Sequence, residues 1–194
     1  MKGKSLLAIL GILLFSVLLA GLLILIFTTF KLQEALKPKA PQYTAADLGK
    51  KGEQQLASGE YAQAEDYLKQ SLLKQDDGSY RSKLAVVEYR LKKYPDAVEQ
   101  YRALIAKGQD VAFAQNGIGN ADRDWGEAHF ADAEAAYKAS FAADKGYVAA
   151  YSNLALLQNT EHNRSAALEV LSAGIVATGN PQLVDLKITL ANSH

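Results

Sequence analysis

The chain contains no cysteine. That excludes a disulfide framework, a thiol nucleophile and any cysteine-ligated zinc or iron–sulfur centre, while leaving the compartment open. Charge of one sign is lacking too: Lys and Arg number 21 against 21 Asp and Glu. With Lys2 and Lys4 set aside the remainder is slightly acidic, whereas a nucleic-acid binder would carry a basic excess. Histidine is scarce, with His129 and His162 at expected inter-helix turns and His194 at the chain end. No HExxH and no histidine pair at ligand spacing occurs, and no GxSxG accompanies the serines. His129 with Asp132 is a weak ligand pair whose ordinary reading is a solvated turn. Gly117-Ile118-Gly119 has part of a dinucleotide loop's spacing, but no strand precedes it, so close helix packing is the better reason for those glycines. The four prolines stand at Pro38, Pro41, Pro95 and Pro181, none inside an apolar helical period. No alternating strand pattern competes with the helical one. These absences leave no catalytic constellation, no cofactor or metal site and no small-molecule substrate site, so an enzyme is not expected.

What is present begins with an uncharged apolar run from Leu6 to Phe30. As a helix it would extend roughly 37 Å, against a hydrocarbon core of about 30 Å. It is too long for a cleaved signal peptide, and without cysteine it cannot be a lipoprotein signal. A permanent single-pass anchor contacting membrane lipid through residues 6–30 is expected, behind a short basic tail at 1–5. Ser16, Ala20 and Gly21 form a small-residue patch that suits helix–helix contact, although such residues are common in spans. Lys2 and Lys4 before the run nearly balance Lys31, Lys37 and Lys39 after it, the latter offset by Glu34. The short basic tail argues for a cytoplasmic amino terminus, which would place the remaining chain outside a bacterial inner membrane. Residues 31–42 read as a linker in which Pro38 and Pro41 stop the helix. Thr44 with Asp47 then forms a capping-box start.

Downstream, one pattern recurs about every 34 residues. Gly59-Glu60-Tyr61, Ala64, Tyr67-Leu68 and Ser71-Leu72 reappear as Lys93-Tyr94-Pro95, Ala97, Tyr101 and Leu104-Ile105. A third copy has His129-Phe130, Ala133, Ala136-Tyr137 and Ser140-Phe141, and a fainter fourth has Asn163-Arg164, Ala167, Leu171 and Gly174-Ile175. A single helical hairpin cannot bury both faces, so a fixed period of helix pairs implies stacking. Helices are predicted over 44–58, 61–75, 78–92, 95–107, 110–124, 130–143, 147–160 and 164–178. A last helix from Pro181 to about Ala191 would cover the end of the stack with Leu183, Leu186, Ile188 and Leu190.

This pattern resembles the tetratricopeptide repeat family over about residues 43–180. Small residues fall mid-way along each first helix at Gly52, Ala85, Gly119 and Ala155, with Leu84, Ile118 and Leu154 before three of them. Turn aromatics are Tyr61, Tyr94 and Phe130, and close-packing alanines are Ala64, Ala97, Ala133 and Ala167. Four departures stand out. Lys51 replaces the expected apolar residue, Arg164 replaces the turn aromatic, and the third repeat has a longer turn, Asp124 to His129, holding the only tryptophan, Trp125. Asp76 stands where a repeat-ending proline is expected after repeat one. The resemblance implies an all-α, superhelical solenoid of about four helix-turn-helix repeats, capped by residues 181–194 and preceded by one transmembrane helix.

The resemblance also implies a concave face formed by the first helices. It places Lys50, Glu53, Lys83, Val86, Tyr89, Arg90, Phe113, Asn116, Asn120, Arg123, Asn153, Leu156 and Asn159 there. The expected partner-binding residues are Lys83, Tyr89, Asn116, Asn120, Arg123, Asn153 and Asn159. An amide carries a donor and an acceptor and can pair with any peptide bond. The alternative for the asparagines is a polar solvated face, and for Tyr89 and Phe113 packing between hairpins. The family's carboxylate clamp needs a lysine before Asn120 where this chain has Asn116, so an acidic chaperone tail is not expected. The resulting expectation is a membrane-anchored module for protein partners, an adaptor, scaffold or assembly factor for a membrane or envelope complex. The alternative is a stoichiometric subunit bound through its membrane helix.

Overall fold

The computed structural model describes residues 2–36 and 42–193. The linker prolines Pro38 and Pro41, Lys37, Lys39 and His194 lie outside the described residues. The chain divides into two units, Met1–Gln42 and Tyr43–His194.

The first unit is one helix, α1 (Lys2–Leu36). It covers the expected apolar run and continues past Phe30 to Leu36. Its segment Leu14–Gln33 has a mean hydropathy of 2.2 with none of it buried, which makes it long and apolar enough to cross a membrane. The hydroxyls of Thr28 and Thr29 donate to the carbonyls of Leu25 and Ile26, each at 2.9 Å. Both polar groups are thereby satisfied within the helix, as an apolar surrounding would require.

The second unit is helical, with no strand among the described residues. Its helices are α2 (Ala45–Ala57), α3 (Tyr61–Lys74), α4 (Gly78–Arg90), α5 (Tyr94–Ala106), α6 (Val111–Trp125), α7 (Phe130–Ala143), α8 (Val148–Thr160), α9 (Arg164–Thr178) and α10 (Pro181–Asn192). Each packs on its neighbours in sequence, and the first helices of successive hairpins, α2, α4, α6 and α8, also touch one another, with α10 against α8 and α9. This is the tetratricopeptide-like solenoid that the period implied, and α10 covers its end by burying Leu183 and Leu190 against Tyr151 and Leu171.

Packing explains the repeated residues. Ala64, Ala97, Ala133 and Ala167 are fully buried, and each is followed one turn later on the same face by Leu68, Tyr101, Tyr137 or Leu171. These larger side chains press on the small residues of the first helices. A Cβ on Gly52 would stand 2.6 Å from Leu68, and one on Gly119 2.5 Å from the Tyr137 ring. Gly117 fits the same rule, because its Cβ would stand 2.3 Å from the Tyr101 ring. The recurring serine has a job as well. Buried Ser71 donates to the Ala45 carbonyl and buried Ser140 to the Ala112 carbonyl, both at 2.7 Å, tying a second helix to the first turn of its partner.

Turns repeat as closely as helices do. Gly59, Lys92 and His162 occupy the left-handed region at φ 78°, 59° and 60°. Glu60, Lys93 and Asn163 then donate backbone N–H groups to Gln55, Glu88 and Gln158 at 2.8–2.9 Å, the six-to-one bond that ends a helix in a Schellman motif. Thr44 caps α2 through a full capping box with Asp47. The helix predicted from residue 78 does start at Gly78, and Asp77 caps it, its carboxylate accepting from the Ser79 and Tyr80 N–H groups.

The departures are accommodated. Lys51 lies over the rings of Tyr43 at 4.7 Å and Tyr67 at 5.5 Å, so its stem covers aromatic surface where an apolar residue was expected. Arg164 donates to Ser193 Oγ at 3.2 Å, linking the last turn to the end of α10. In the third repeat Gly126 (φ 137°) and a 3-10 turn, Glu127–His129, replace the Schellman turn.

Candidate partner-binding groove

The first helices bring three of the expected residues into one cluster. Asn153 Nδ2 on α8 donates to Asn116 Oδ1 at 2.9 Å and to Asn120 Oδ1 at 3.1 Å, both on α6. Tyr137 on α7 donates its hydroxyl to the same Asn120 oxygen at 2.9 Å. Asn116 and Asn120 are one helical turn apart, so both face α8, and Gly119 lets Tyr137 reach through from below. Burial pushes the Tyr137 phenol well above its usual range, which keeps it a donor at any physiological pH. Two amide carbonyls are therefore used inside the protein. Among the described residues nothing accepts from the Nδ2 groups of Asn116 and Asn120, and nothing donates to Asn153 Oδ1. The cluster offers donors and an acceptor together, the complement of a peptide backbone.

Lys83, Tyr89 and Arg123 lie on the first helices too, and each is engaged by neighbouring side chains. Tyr89 packs on Tyr94 (ring centroids 6.1 Å apart) and donates a short hydrogen bond to Asp124 Oδ2. Arg123 Nε donates to Asp124 Oδ1 at 2.8 Å. Burial raises the Asp124 carboxyl, but the hydrogen bonds from Arg123 and Tyr89 outweigh it and hold the group below the usual carboxylate range. Asp124 was not among the expected residues, since no repeat position marks it; it organises the α4–α6 side of the groove. Lys83 pairs with Glu53 at 3.0 Å and donates to Ser79 Oγ at 2.8 Å, bridging α4 to α2. Phe113 packs edge-on against Tyr101 at 5.8 Å, which makes it a contact between hairpins.

Asn159 stands apart from the amide cluster, lining a cavity with Thr160, His162, Arg164 and Ser193 at the carboxyl end of α8. Leu156 on α8 is exposed, as are Lys50 and Arg90, while Val86 is half-buried. No group of His, Asp and Glu able to hold a metal ion occurs among the described residues. His129 and Asp132 lie 3.9 Å apart.

No family model matches the chain, and neither does any curated protein. Solved structures do. A thermophilic tetratricopeptide-repeat protein of Thermus thermophilus is 18% identical, with a TM-score of 0.59 over 76% of this chain and 81% of its own. MamA (residues 41 to the end) of Desulfovibrio magneticus is 16% identical, with a TM-score of 0.61 over 69% and 75%. YrrB, described as a tetratricopeptide protein with an unusual peptide-binding site, is 20% identical, with a TM-score of 0.59 over 72% and 71%. At such identities the likeness speaks for the fold, and residues 43–193 have the tetratricopeptide-like fold.

Proposed function

We propose that this protein is a membrane-anchored interaction module, an adaptor, scaffold or assembly factor that holds an extended segment of a protein partner on its first-helix face. The observation that carries this reading is the Asn116–Asn120–Asn153 cluster, whose unused donors and acceptor converge between α6 and α8. That YrrB is described as having a peptide-binding site agrees with such a use of the fold, without identifying a ligand for this chain. The apolar surface of α1 between Leu14 and Gln33 supports an anchor, since burying it in lipid or against another membrane helix removes it from water. Restricting a binding module to the membrane plane raises its effective concentration for neighbouring complexes.

The test is purification of the tagged chain in mild detergent, comparing wild type with the Asn120→Ala/Asn153→Ala double variant. Loss of partner capture is expected with the helical fold retained, because the partner's backbone groups lose hydrogen bonds worth about 1–3 kcal/mol, while the thermal midpoint falls as buried Tyr137 loses its acceptor. Unchanged capture by a folded double variant would refute the groove as the recognition surface. A fixed set of partners at constant ratio, retained by the double variant, would favour a permanent subunit held through α1.

A further inference from the structure

On the side of α6 opposite the amide cluster lies a second groove of about 790 Å³. Its walls are the second helices α5 and α7 and its floor is α6. Val98 and Ile105 from α5 and Ile118 from α6 supply apolar surface; Ala135, Ala136 and Ala139 from α7 supply a wall with no side chain beyond Cβ. One end is formed by Trp125, 45% exposed, with the His129 ring stacked on it at 4.0 Å. The longer turn of the third repeat creates this end, since Gly126 and the 3-10 turn hold Trp125 and His129 where other repeats have a Schellman turn.

One polar group here is unexplained by the fold. Asp122 lines the floor of the groove and is only 7% exposed, yet among the described residues nothing hydrogen-bonds to its carboxylate or forms an ion pair with it. The groups around it are Asp132, His129 and Arg102, and Arg102, though in the groove, makes no ion pair with it. Burial, with Asp132 adding to it, pushes the Asp122 carboxyl above its usual range against the opposing pull of His129 and Arg102. Set in an apolar floor with no hydrogen bond or ion pair among the described residues, this carboxylate is open to pairing with an incoming cation.

We propose that this outer groove docks an amphipathic helix of a partner protein, presenting a lysine or arginine to Asp122 from within an apolar stripe. The lining positions recur at helical spacing on three helices (98, 102 and 105; 115, 118 and 122; 132, 135, 136 and 139), so the groove is a trough between ridges, the shape that accepts a helix. The alanine wall permits close approach of a backbone. This surface is separate from the first-helix groove and does not depend on it.

The only tryptophan in the chain sits in the groove, so its emission reports occupancy directly. The full chain in detergent micelles is titrated with synthetic helix-forming peptides that lack tryptophan and tyrosine. They carry one leucine–alanine stripe and, at its centre, lysine, arginine, glutamate or norleucine. The lysine and arginine peptides should shift Trp125 emission saturably and bind at least about tenfold tighter than the norleucine peptide. Asp122→Asn should erase that difference, and Ala135→Arg, at an exposed position on the wall, should abolish binding at an unchanged thermal midpoint. Absence of a saturable shift with every peptide, equal affinity for lysine and norleucine on the wild type, or preference for glutamate would each overturn the proposal. Self-association of the chain in sedimentation that Ala135→Arg abolishes would assign the groove to a second copy and overturn it as well. Should Asp122→Asn fail to fold, the lysine–norleucine comparison on the wild type still decides.

Discussion

At the scale of single residues, what matters most is how little room there is beside each small one. Gly119→Ala should destabilise by about 1–3 kcal/mol through overpacking against Tyr137, although alanine in an open helix would stabilise by about 1 kcal/mol. Ala133→Leu should cost a similar amount, because Ala133 is fully buried between helices. Thermal midpoints of the two variants check both; a neutral result at either would mean the contact is not close. Glu88 behaves in the opposite sense. It is fully buried and meets Lys69 at 3.1 Å, yet burial outweighs that pairing and raises its carboxyl. A group whose folded pKa is raised contributes stability that is present below its unfolded value and lost as pH rises through the folded one. Glu88→Gln should therefore leave the protein at least as stable as wild type at about pH 7, with the difference vanishing near about pH 4. A large loss at neutral pH would show that the Lys69 pairing dominates.

At the scale of elements, the turns set the angle at which each hairpin closes, and two of them use residues ill-suited to the task. Lys92 and His162 adopt the left-handed conformation that Gly59 adopts in the first repeat, at a cost of roughly 1–2 kcal/mol per non-glycine residue. Lys92→Gly and His162→Gly should each stabilise by up to about 1 kcal/mol after the added entropy of the unfolded chain is subtracted, and so raise the thermal midpoint. The capping box at Thr44 makes the complementary case: Thr44→Ala should cost about 1 kcal/mol and increase hydrogen exchange in the first turn of α2, leaving α7 unaffected. Helix limits were legible in the sequence to within a residue or two, since Gly59, Gly108 and Gly179 punctuate helix ends and Pro181 opens one. The Asp77 cap and the 3-10 turn after Gly126 were not, because local chemistry at Asp76-Asp77-Gly78 fits a helix end as well as a start.

At the scale of the molecule, neighbouring hairpins supply one another's cores, so removing an end should propagate. Deleting residues 181–194 uncovers Tyr151 and Leu171, and the truncated chain is expected to unfold at lower temperature and to aggregate. Circular dichroism of residues 43–194 should show helix without strand. For the apolar helix α1 the expectation is membrane association that resists alkaline extraction, since Leu14–Gln33 is long enough to span. A reporter active only outside the cytoplasm, fused after His194, should be active under the proposed orientation. An active cytoplasmic reporter instead would place the repeats on the inner side and remove the envelope reading.

The period, the helix pairs and the residues that must be small are legible in the chain alone, because they follow from local hydrophobic spacing and from volume at close contacts. Gly52, Gly119 and the four buried alanines could be found without coordinates for that reason. The sequence also marked four asparagines, Asn116, Asn120, Asn153 and Asn159, on the first helices, of which the fold brings the first three together and leaves Asn159 apart. Which polar side chains were already engaged was decided only by tertiary structure. Asp124 joins Tyr89 to Arg123 across α4 and α6, and Glu53 meets Lys83 across α2 and α4. Those partners lie on different hairpins, and their pairing depends on the angle at which the hairpins stack. The same angle, together with the longer turn at Gly126, sets Asp122 and Trp125 into one trough on the outer face, where no periodic pattern would have joined them.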